Sequence, residues 1–257
     1  MNPTSRRAGM KVSINEVQRS CEKAAWGVGA PAGADTDAGG IVAWLAVHGL
    51  PGVALAARDL VSVANGVDPG AVSGIHQDGG WQLDAGGRSF LYFAGAVLDL
   101  AIAEAARSVD GTGRVRITMA RTPLFLVPLA AKTVEPGHAF RIGPAGRSAR
   151  AWIIAAQNGP RSVRISWREA TDLTDGEPAD IDLDYGPWPG AASPFEQPTN
   201  GLDPDLIAHR KRDAVATGVF ADEADWAVIQ RFAARTLVVA SEESRRRGAG
   251  AEVDDNE

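Results

Sequence analysis

Arginine side chains are concentrated in one stretch of the sequence. Residues 111–168 hold ten basic residues and one acidic residue, whereas residues 169–184 hold seven acidic residues and no basic one. Arg114, Arg116 and Arg164 alternate with apolar residues, which is typical of half-buried strands. Guanidinium groups on one sheet face can bind carboxylate or phosphate through paired hydrogen bonds. The pattern therefore predicts a site for a small anionic metabolite, or alternatively a solvated face that the acidic run neutralises.

Asp99 is the second candidate for chemistry. It lies in the most apolar helical pattern of the chain, at about residues 90–107, which predicts a central buried helix. A carboxylate in such a helix must find a partner or take up a proton, because an unpaired buried charge is strongly unfavourable. Asp99 is therefore a candidate general acid or base, or else one half of a structural ion pair with an arginine.

His76 opens a glycine-rich stretch that continues through Gly79-Gly80 and Gly86-Gly87. Such a stretch offers free backbone amides, and we expect Ser89 to cap the helix that follows it, with residues 65–90 forming an ordered loop. We include His76 among the candidate substrate-binding residues. The stretch matches neither of the common glycine motifs that bind phosphate, so a plain connector is the other interpretation.

Composition excludes several classes of function. The chain has 257 residues, 45% of them apolar, and a net charge of −6. The arginine-rich segment has no interleaved aromatic residues, so we expect no nucleic-acid partner. The four histidines are isolated and Cys21 is the only cysteine, so the sequence predicts no metal site and identifies no cofactor. With no signal peptide and no run of about 20 apolar residues, it favours a cytoplasmic protein without a membrane partner.

The periodicities predict an α+β fold in which an antiparallel sheet in the middle of the chain is flanked by N-terminal helices and a long C-terminal helix. Ser13 and Glu16 form a capping box that begins the first helix. We expect residues 1–11 to be a flexible extension and residues 12–247 a single domain. Within it, residues 12–107 are helical, 111–185 strand-rich, 186–221 a surface connection and 222–247 the last helix. Residues 248–257 form a C-terminal tail.

Both ends of the sequence resemble one bacterial family, DUF3726, which has no assigned activity. The N-terminal resemblance rests on Val12–Glu16, Ala24–Gly29, Val42–Leu45 and Gly49–Gly52. The chain departs from the family where it has Ala32-Gly33 in place of Trp-Gly, and Asp35-Thr36-Asp37 in place of paired glutamates. The resemblance also implies that Met10 is the biological start.

The C-terminal resemblance rests on Ala234–Thr236, Ser241-Glu242, Ser244-Arg245, Gly248–Ala251 and Asp255-Asn256. Here Val239 stands where the family often has proline. A family signature in this tail implies a defined role for it, whereas the residues alone equally fit a frayed helix end.

Two functions follow as hypotheses. In the first, the protein binds or acts on a small carboxylate or phosphate metabolite of bacterial catabolism, held by Arg114, Arg116, Arg164 and Arg245, with His76 nearby and Asp99 as acid or base. In the second, it is a noncatalytic accessory or scaffold subunit that uses Trp26, Trp44 and the C-terminal tail at an interface, in a homo- or hetero-oligomer.

Overall fold

The computed structural model describes residues 9–70, 72–77, 79–146, 152–156, 163–167, 177–188 and 200–236. The fold is α+β, as the sequence predicts. None of the helices in these ranges has the length and apolar content that a membrane span needs. The described helices are α1 (Ile14–Gly27), α2 (Ala34–Val47), α3 (Gly52–Ala64), α4 (Ala94–Arg107), α5 (Leu126–Thr133), α6 (Pro204–Thr217) and α7 (Glu223–Ala233).

A sheet of eight strands forms one layer of the molecule. Its spatial order is β2-β3-β4-β8-β5-β6-β7-β9, and every neighbouring pair is antiparallel except β3 with β4. A separate antiparallel pair joins β1 to β10. The strands are β1 (Gly9–Val12), β2 (Ser73–Gln77), β3 (Gly80–Asp84), β4 (Gly113–Ala120), β5 (His138–Pro144), β6 (Trp152–Ala156), β7 (Val163–Trp167), β8 (Ala179–Pro187), β9 (Asn200–Leu202) and β10 (Val219–Asp222).

The first helices begin and end where the sequence predicts. Ser13 caps α1, and its hydroxyl accepts a hydrogen bond of 3.1 Å from the Glu16 amide. Helices α1, α2, α3 and α7 pack against one another, and α6 packs against α2. Gly39 permits the close approach of α2 to α1, because a Cβ there would lie 2.6 Å from the Gln18 carbonyl oxygen. The helical layer is therefore held by buried apolar faces and small residues at the crossings.

Helix α4 packs against β4, β8 and α5, and α5 in turn packs against α2. On β4, Val115 and Ile117 are buried on the side of α4. Arg114 and Arg116 alternate with them on the opposite, exposed side, which we call the outward face of the sheet. The predicted alternation of β4 is thus confirmed over residues 113–117, but it breaks at the register shift between Ile117 and Ala120, where Met119 is exposed.

Two predicted segments differ in the structure. Ser73–Gln77 and Gly80–Asp84, within the expected loop, form the strands of the hairpin β2-β3. Residues 186–221, expected to be a surface connection, contain β9, α6 and β10. Helix α7 and one 3₁₀ turn, Ala234–Thr236, form the described part of the C-terminal helix expected over residues 222–247, and its remaining residues lie outside the described ranges. In addition, Gly9–Val12 pair with β10, so strand β1 includes residues that the sequence assigns to a flexible extension.

Candidate functional site

The register of β4 and β8 places charged side chains in two rows on the outward face. Arg114 lies opposite Asp184, and Arg116 lies opposite Asp182. Cβ atoms of directly opposed residues are about 5 Å apart, so these four side chains are mutual neighbours. The basic segment and the acidic run that follows it are therefore paired strand to strand.

These residues line a cavity of about 340 Å³ between the β2-β3 hairpin and β8. We call it the outward-face cavity. Gly80 allows β3 to approach β4, since a Cβ at this position would lie 2.9 Å from the Arg114 carbonyl oxygen. A volume of this size accommodates a small metabolite. The lining residues are Gln77, Gly79, Gly80, Trp81, Gln82, Arg114, Val115, Arg116, Asp182 and Asp184.

Arg116 and Asp182 form a bidentate ion pair at the cavity. Nε of Arg116 donates to Oδ1 of Asp182 at 2.7 Å, and Nη2 donates to Oδ2 at 3.0 Å. Partial burial by itself raises the pKa of Asp182, but hydrogen bonds from Arg116 and from the Gly146 amide outweigh this effect and lower it. The hydrogen bonds that Arg116 donates to Asp182 also raise the pKa of Arg116. Asp182 is therefore ionised at neutral pH and its charge is balanced.

Arg114 forms its ion pair with Asp110 and not with Asp184, the residue opposite it on β8. Its Nη2 donates to Oδ2 of Asp110 at 2.8 Å. Hydrogen bonds from Ser108, from Arg114 and from the Thr112 amide lower the pKa of Asp110. The Arg114 side chain is 53% exposed, so this ion pair is screened by solvent and weak.

Asp184 differs from the other carboxylates of the cavity. It is half-buried and makes no hydrogen bond or ion pair with any described residue. Burial raises its pKa, and the charges of Arg141 and Arg114 offset only part of that effect. An unpaired carboxylate of raised pKa in a cavity can exchange a proton with a ligand or pair with a cationic group.

Sequence reasoning counted Asp184 only as a member of the acidic run. The alternation of Ile181, Leu183 and Tyr185 with Asp182 and Asp184 predicts an outward carboxylate at this position. The neighbours of Asp184 depend on strand order, which a single sequence does not contain.

Arg164, Asp99 and His76, the other candidate residues that the structure describes, are not brought to the outward-face cavity. Arg164 shares the outward face, but three strands lie between β7 and β4, which places it about 19 Å away. Asp99 is exposed on α4, so the burial expected for it is wrong, and with it the reason for assigning it an acid or base role. Arg245 lies outside the described residues.

His76 is in β2, on the opposite side of the hairpin from the cavity. Its Nε2 lies 3.1 Å from Oε1 of Glu104 on α4, and its ring meets the Trp81 ring edge to face at 5.3 Å. The side chain of Glu104 is only 10% exposed, so this contact fastens the edge of the sheet to α4.

A larger cavity of about 640 Å³ lies between the N-termini of α2 and α4. Among the residues that the structure describes, its lining is mostly apolar and includes Asp37 and Tyr92 but no basic side chain. Oδ2 of Asp37 lies 3.2 Å from the position that a Cβ on Gly95 would take, so a carboxylate of the chain itself already faces the α4 N-terminus. This cavity does not suit an anion.

Sequence analysis missed a buried polar cluster where α3 meets the entry to α4. Asp59 accepts hydrogen bonds from Ser89 and from Thr122, the latter at 2.8 Å, and Nη2 of Arg58 donates to Thr122 at 3.0 Å. Ser89 does not cap α4, which begins at Ala94; its hydroxyl accepts from the Leu91 amide instead. Asp59, Ser89 and Thr122 are buried, so this cluster is structural.

No group of three or more potential metal-ligating side chains occurs among the residues that the structure describes. The sequence identifies no cofactor, and the described residues that line the outward-face cavity do not identify one either.

Comparison with protein families gives one match. Residues 12–87 match the model of DUF3726, described as a protein of unknown function, and the match supports membership of that family. It covers the N-terminal part of the resemblance noted in the sequence. A search of the curated proteins finds no match.

Solved structures of dehydrogenases share the fold. The chain is similar to a dehydrogenase from Sinorhizobium meliloti (TM-score 0.65, 12% identity, 88% of this chain and 100% of that chain). It is also similar to malate dehydrogenase from Pyrococcus horikoshii OT3 (TM-score 0.59, 10% identity, 94% of this chain and 100% of that chain). A third similar structure is sulfolactate dehydrogenase from Methanocaldococcus jannaschii (TM-score 0.62, 10% identity, 87% of this chain and 96% of that chain). At these identities the likeness concerns the fold alone.

Proposed function

We propose that this chain, a member of the DUF3726 family by its residues 12–87, binds a small anionic metabolite in the outward-face cavity. The observation that carries the proposal is the presence of two arginines of β4, Arg114 and Arg116, in the lining of one cavity. Malate and sulfolactate, for which two of the similar structures are named, are small carboxylates, and this supports the same ligand class.

Both arginines keep N–H groups available for a ligand. A guanidinium has five N–H donors. To described residues, Arg114 donates one hydrogen bond, to Asp110, and Arg116 donates two, to Asp182. A carboxylate or phosphate can therefore bind the remaining N–H groups while the ion pair of Arg116 stays in place.

A thermal-shift panel of small carboxylates and phosphates tests the proposal. Ligand at 100 times its dissociation constant stabilises the folded state by about 2.7 kcal/mol, which is readily measured. We expect a member of the panel to raise the unfolding temperature, and Arg114→Gln and Arg116→Gln each to weaken its binding. Arg116→Lys keeps the charge but loses the planar guanidinium and should also bind less tightly.

Arg164→Gln is the matched control, because it removes an exposed arginine from the same sheet face at a distance from the cavity. Loss of binding in Arg164→Gln equal to that in Arg116→Gln would refute a local site. A flat response of the wild-type protein across the whole panel would refute the proposed function.

An accessory or scaffold role is the second candidate, and the exposure of Trp26 favours it. The Trp26 side chain at the end of α1 is 70% exposed, and exposed tryptophans are enriched at protein interfaces. Trp44 does not serve in the same way, because it is half-buried and stacks on His48 at 3.9 Å. A heteromeric complex that copurifies with the protein and is lost in Trp26→Ser would favour this role.

A further inference from the structure

The charge distribution around Asp184 narrows the class of ligand that the outward-face cavity can bind. This inference rests on the proposed function. Register places Asp184 between Arg114 on β4 and Arg141 on β5. Arg114 instead binds Asp110, while Arg141 donates to the Pro187 carbonyl oxygen at 3.4 Å and lies over the Trp188 ring at 5.8 Å. Both flanking arginines are therefore held by other groups.

Asp182 and Asp184 thus have different roles in the cavity. Both oxygens of Asp182 accept hydrogen bonds from Arg116, so this carboxylate is neutralised inside the protein. Asp184 has no such contact with a described residue, yet it is half-buried. A ligand that carries only negative charge would sit beside this unpaired carboxylate and be repelled by it.

A ligand that carries both charges suits the two sets of groups. We propose that the outward-face cavity takes a zwitterion, an amino or imino acid whose carboxylate binds N–H groups of Arg114 and Arg116 and whose protonated nitrogen pairs with Asp184. The cavity volume of about 340 Å³ limits the ligand to a small amino or imino acid. Asp184 then acts as a specificity-determining residue.

Pairs of acids that differ at one position test the inference by isothermal titration calorimetry. The probes are L-proline with cyclopentanecarboxylate, L-alanine with L-lactate, and L-aspartate with L-malate. Each pair keeps the carboxylate and replaces the protonated nitrogen by a methylene or a hydroxyl group. A charge-assisted hydrogen bond predicts at least one pair in which the amino or imino acid binds about ten-fold tighter or more.

Asp184→Asn should abolish this preference while leaving the affinity for the hydroxy or desamino acid unchanged or higher. Asp184→Ser serves as a second variant, and urea unfolding verifies that both fold. Asp180→Asn is the matched control: Asp180 lies on the same strand and face but not in the cavity lining, and asparagine keeps an oxygen that can accept from the Met119 amide.

The outcomes separate this inference from the proposed function. If the hydroxy or desamino acid binds as tightly as its partner in every pair, the ligand is a simple anion and the zwitterion is refuted. If a preference exists but persists in both Asp184 variants, the role of Asp184 is refuted. If none of these six acids binds but another carboxylate or a phosphate of the thermal-shift panel does, the zwitterion is refuted and the proposed function stands; if nothing in either set binds, both are refuted.

Discussion

Replacing Asp59 with alanine should destabilise the fold strongly, because it leaves two buried hydroxyl donors without an acceptor. Asp59 is 1% exposed, Ser89 4% and Thr122 0%. Ser89 accepts from the Leu91 amide and Thr122 accepts from Arg58, so each hydroxyl has its proton directed to Asp59. Neither proton has another acceptor among the described residues.

The expected loss of unfolding free energy is about 3–5 kcal/mol. Each orphaned donor costs about 1–3 kcal/mol, and Arg58 loses its ion pair with the Asp59 carboxylate. Thr122 adds to the effect, since it has a φ of 54°, a left-handed conformation that a β-branched residue adopts only when its surroundings hold it there.

Urea unfolding followed by circular dichroism measures this loss as a shift in midpoint at unchanged slope. Asp99→Ala is the matched control, because Asp99 is the aspartate that sequence periodicity places in the core and the structure places in solvent. We expect Asp99→Ala to change stability by less than about 0.5 kcal/mol. Equal effects of the two substitutions, or a change below about 1 kcal/mol for Asp59→Ala, would refute the assignment of the buried cluster.

Comparison of the wild type with Asp59→Asn tests how the contribution of Asp59 to stability changes with pH. Burial raises the pKa of Asp59, and hydrogen bonds from Ser89 and Thr122 oppose this effect only in part. The folded chain therefore holds the proton to higher pH than the unfolded chain does, so the contribution of Asp59 to stability falls as the pH rises between the unfolded and folded pKa values. The stability of wild type relative to Asp59→Asn should decline across that interval; a difference that rises with pH would contradict the raised pKa.

Three further predictions concern the helical layer and its junction with the sheet. Ser13→Ala removes the α1 cap and should lower the unfolding free energy by about 1 kcal/mol in urea unfolding, whereas Asn15→Ala should not. Gly113→Ala places a Cβ 1.8 Å from the Ala101 carbonyl oxygen and should cost about 1–3 kcal/mol or more in the same assay; a neutral result would contradict this packing. Burial raises the pKa of Cys21 to about 12, so a thiol reagent at pH 8 should label it only after denaturation, and rapid labelling of the folded protein would exclude a buried thiol.

Local signals in the sequence located most of the helix starts and the main strands. The hydroxyl of Ser13 caps α1 as expected, and the carboxylate of Asp222 caps α7 at the residue where the sequence places the start of the last helix, because a cap depends on residues within one turn. The alternation in β7 and in residues 113–117 of β4 is equally local and is confirmed, whereas the register shift that exposes Met119 has no local signal. The division into a single domain with a C-terminal tail remains a prediction.

The hairpin β2-β3 was missed although its signal is present. Asp78-Gly79 precedes the alternating residues Trp81 to Asp84, and this dipeptide is typical of two-residue hairpin turns. The many glycines around it lower the apolar content that marks strands. The hairpin is also supported by parallel pairing with β4, about 30 residues further along, which no local pattern reveals.

Asp99 and α6 were misjudged for two different physical reasons. The face of α4 that carries Asp99 consists of alanines, which count as apolar in a periodicity but are tolerated in solvent. The start of α6 carries a valid signal, Asp203 as N-cap and Pro204 at the first turn, but several nearby prolines suggested a connection.

The outward-face cavity could be predicted only in part. Alternation placed Arg114 and Arg116 on one face, but the spatial order of β4, β8 and β5 decides that Asp184 lies beside them. Whether Arg114 binds Asp110 or Asp184 depends on the conformation of its side chain. Neither strand order nor conformation can be read from a single sequence.

The alternation of outward and buried side chains over residues 113–117 of β4 and 181–185 of β8 has an evolutionary consequence. A substitution at an outward position changes the groups that meet a ligand and leaves the contacts with α4 intact, so ligand preference can diverge among relatives without loss of the fold. The deletion of one residue within β4 would exchange the two sides, sending guanidinium groups toward α4 and Val115 toward solvent. We therefore expect related chains to vary by replacement at these positions and to keep the lengths of both strands.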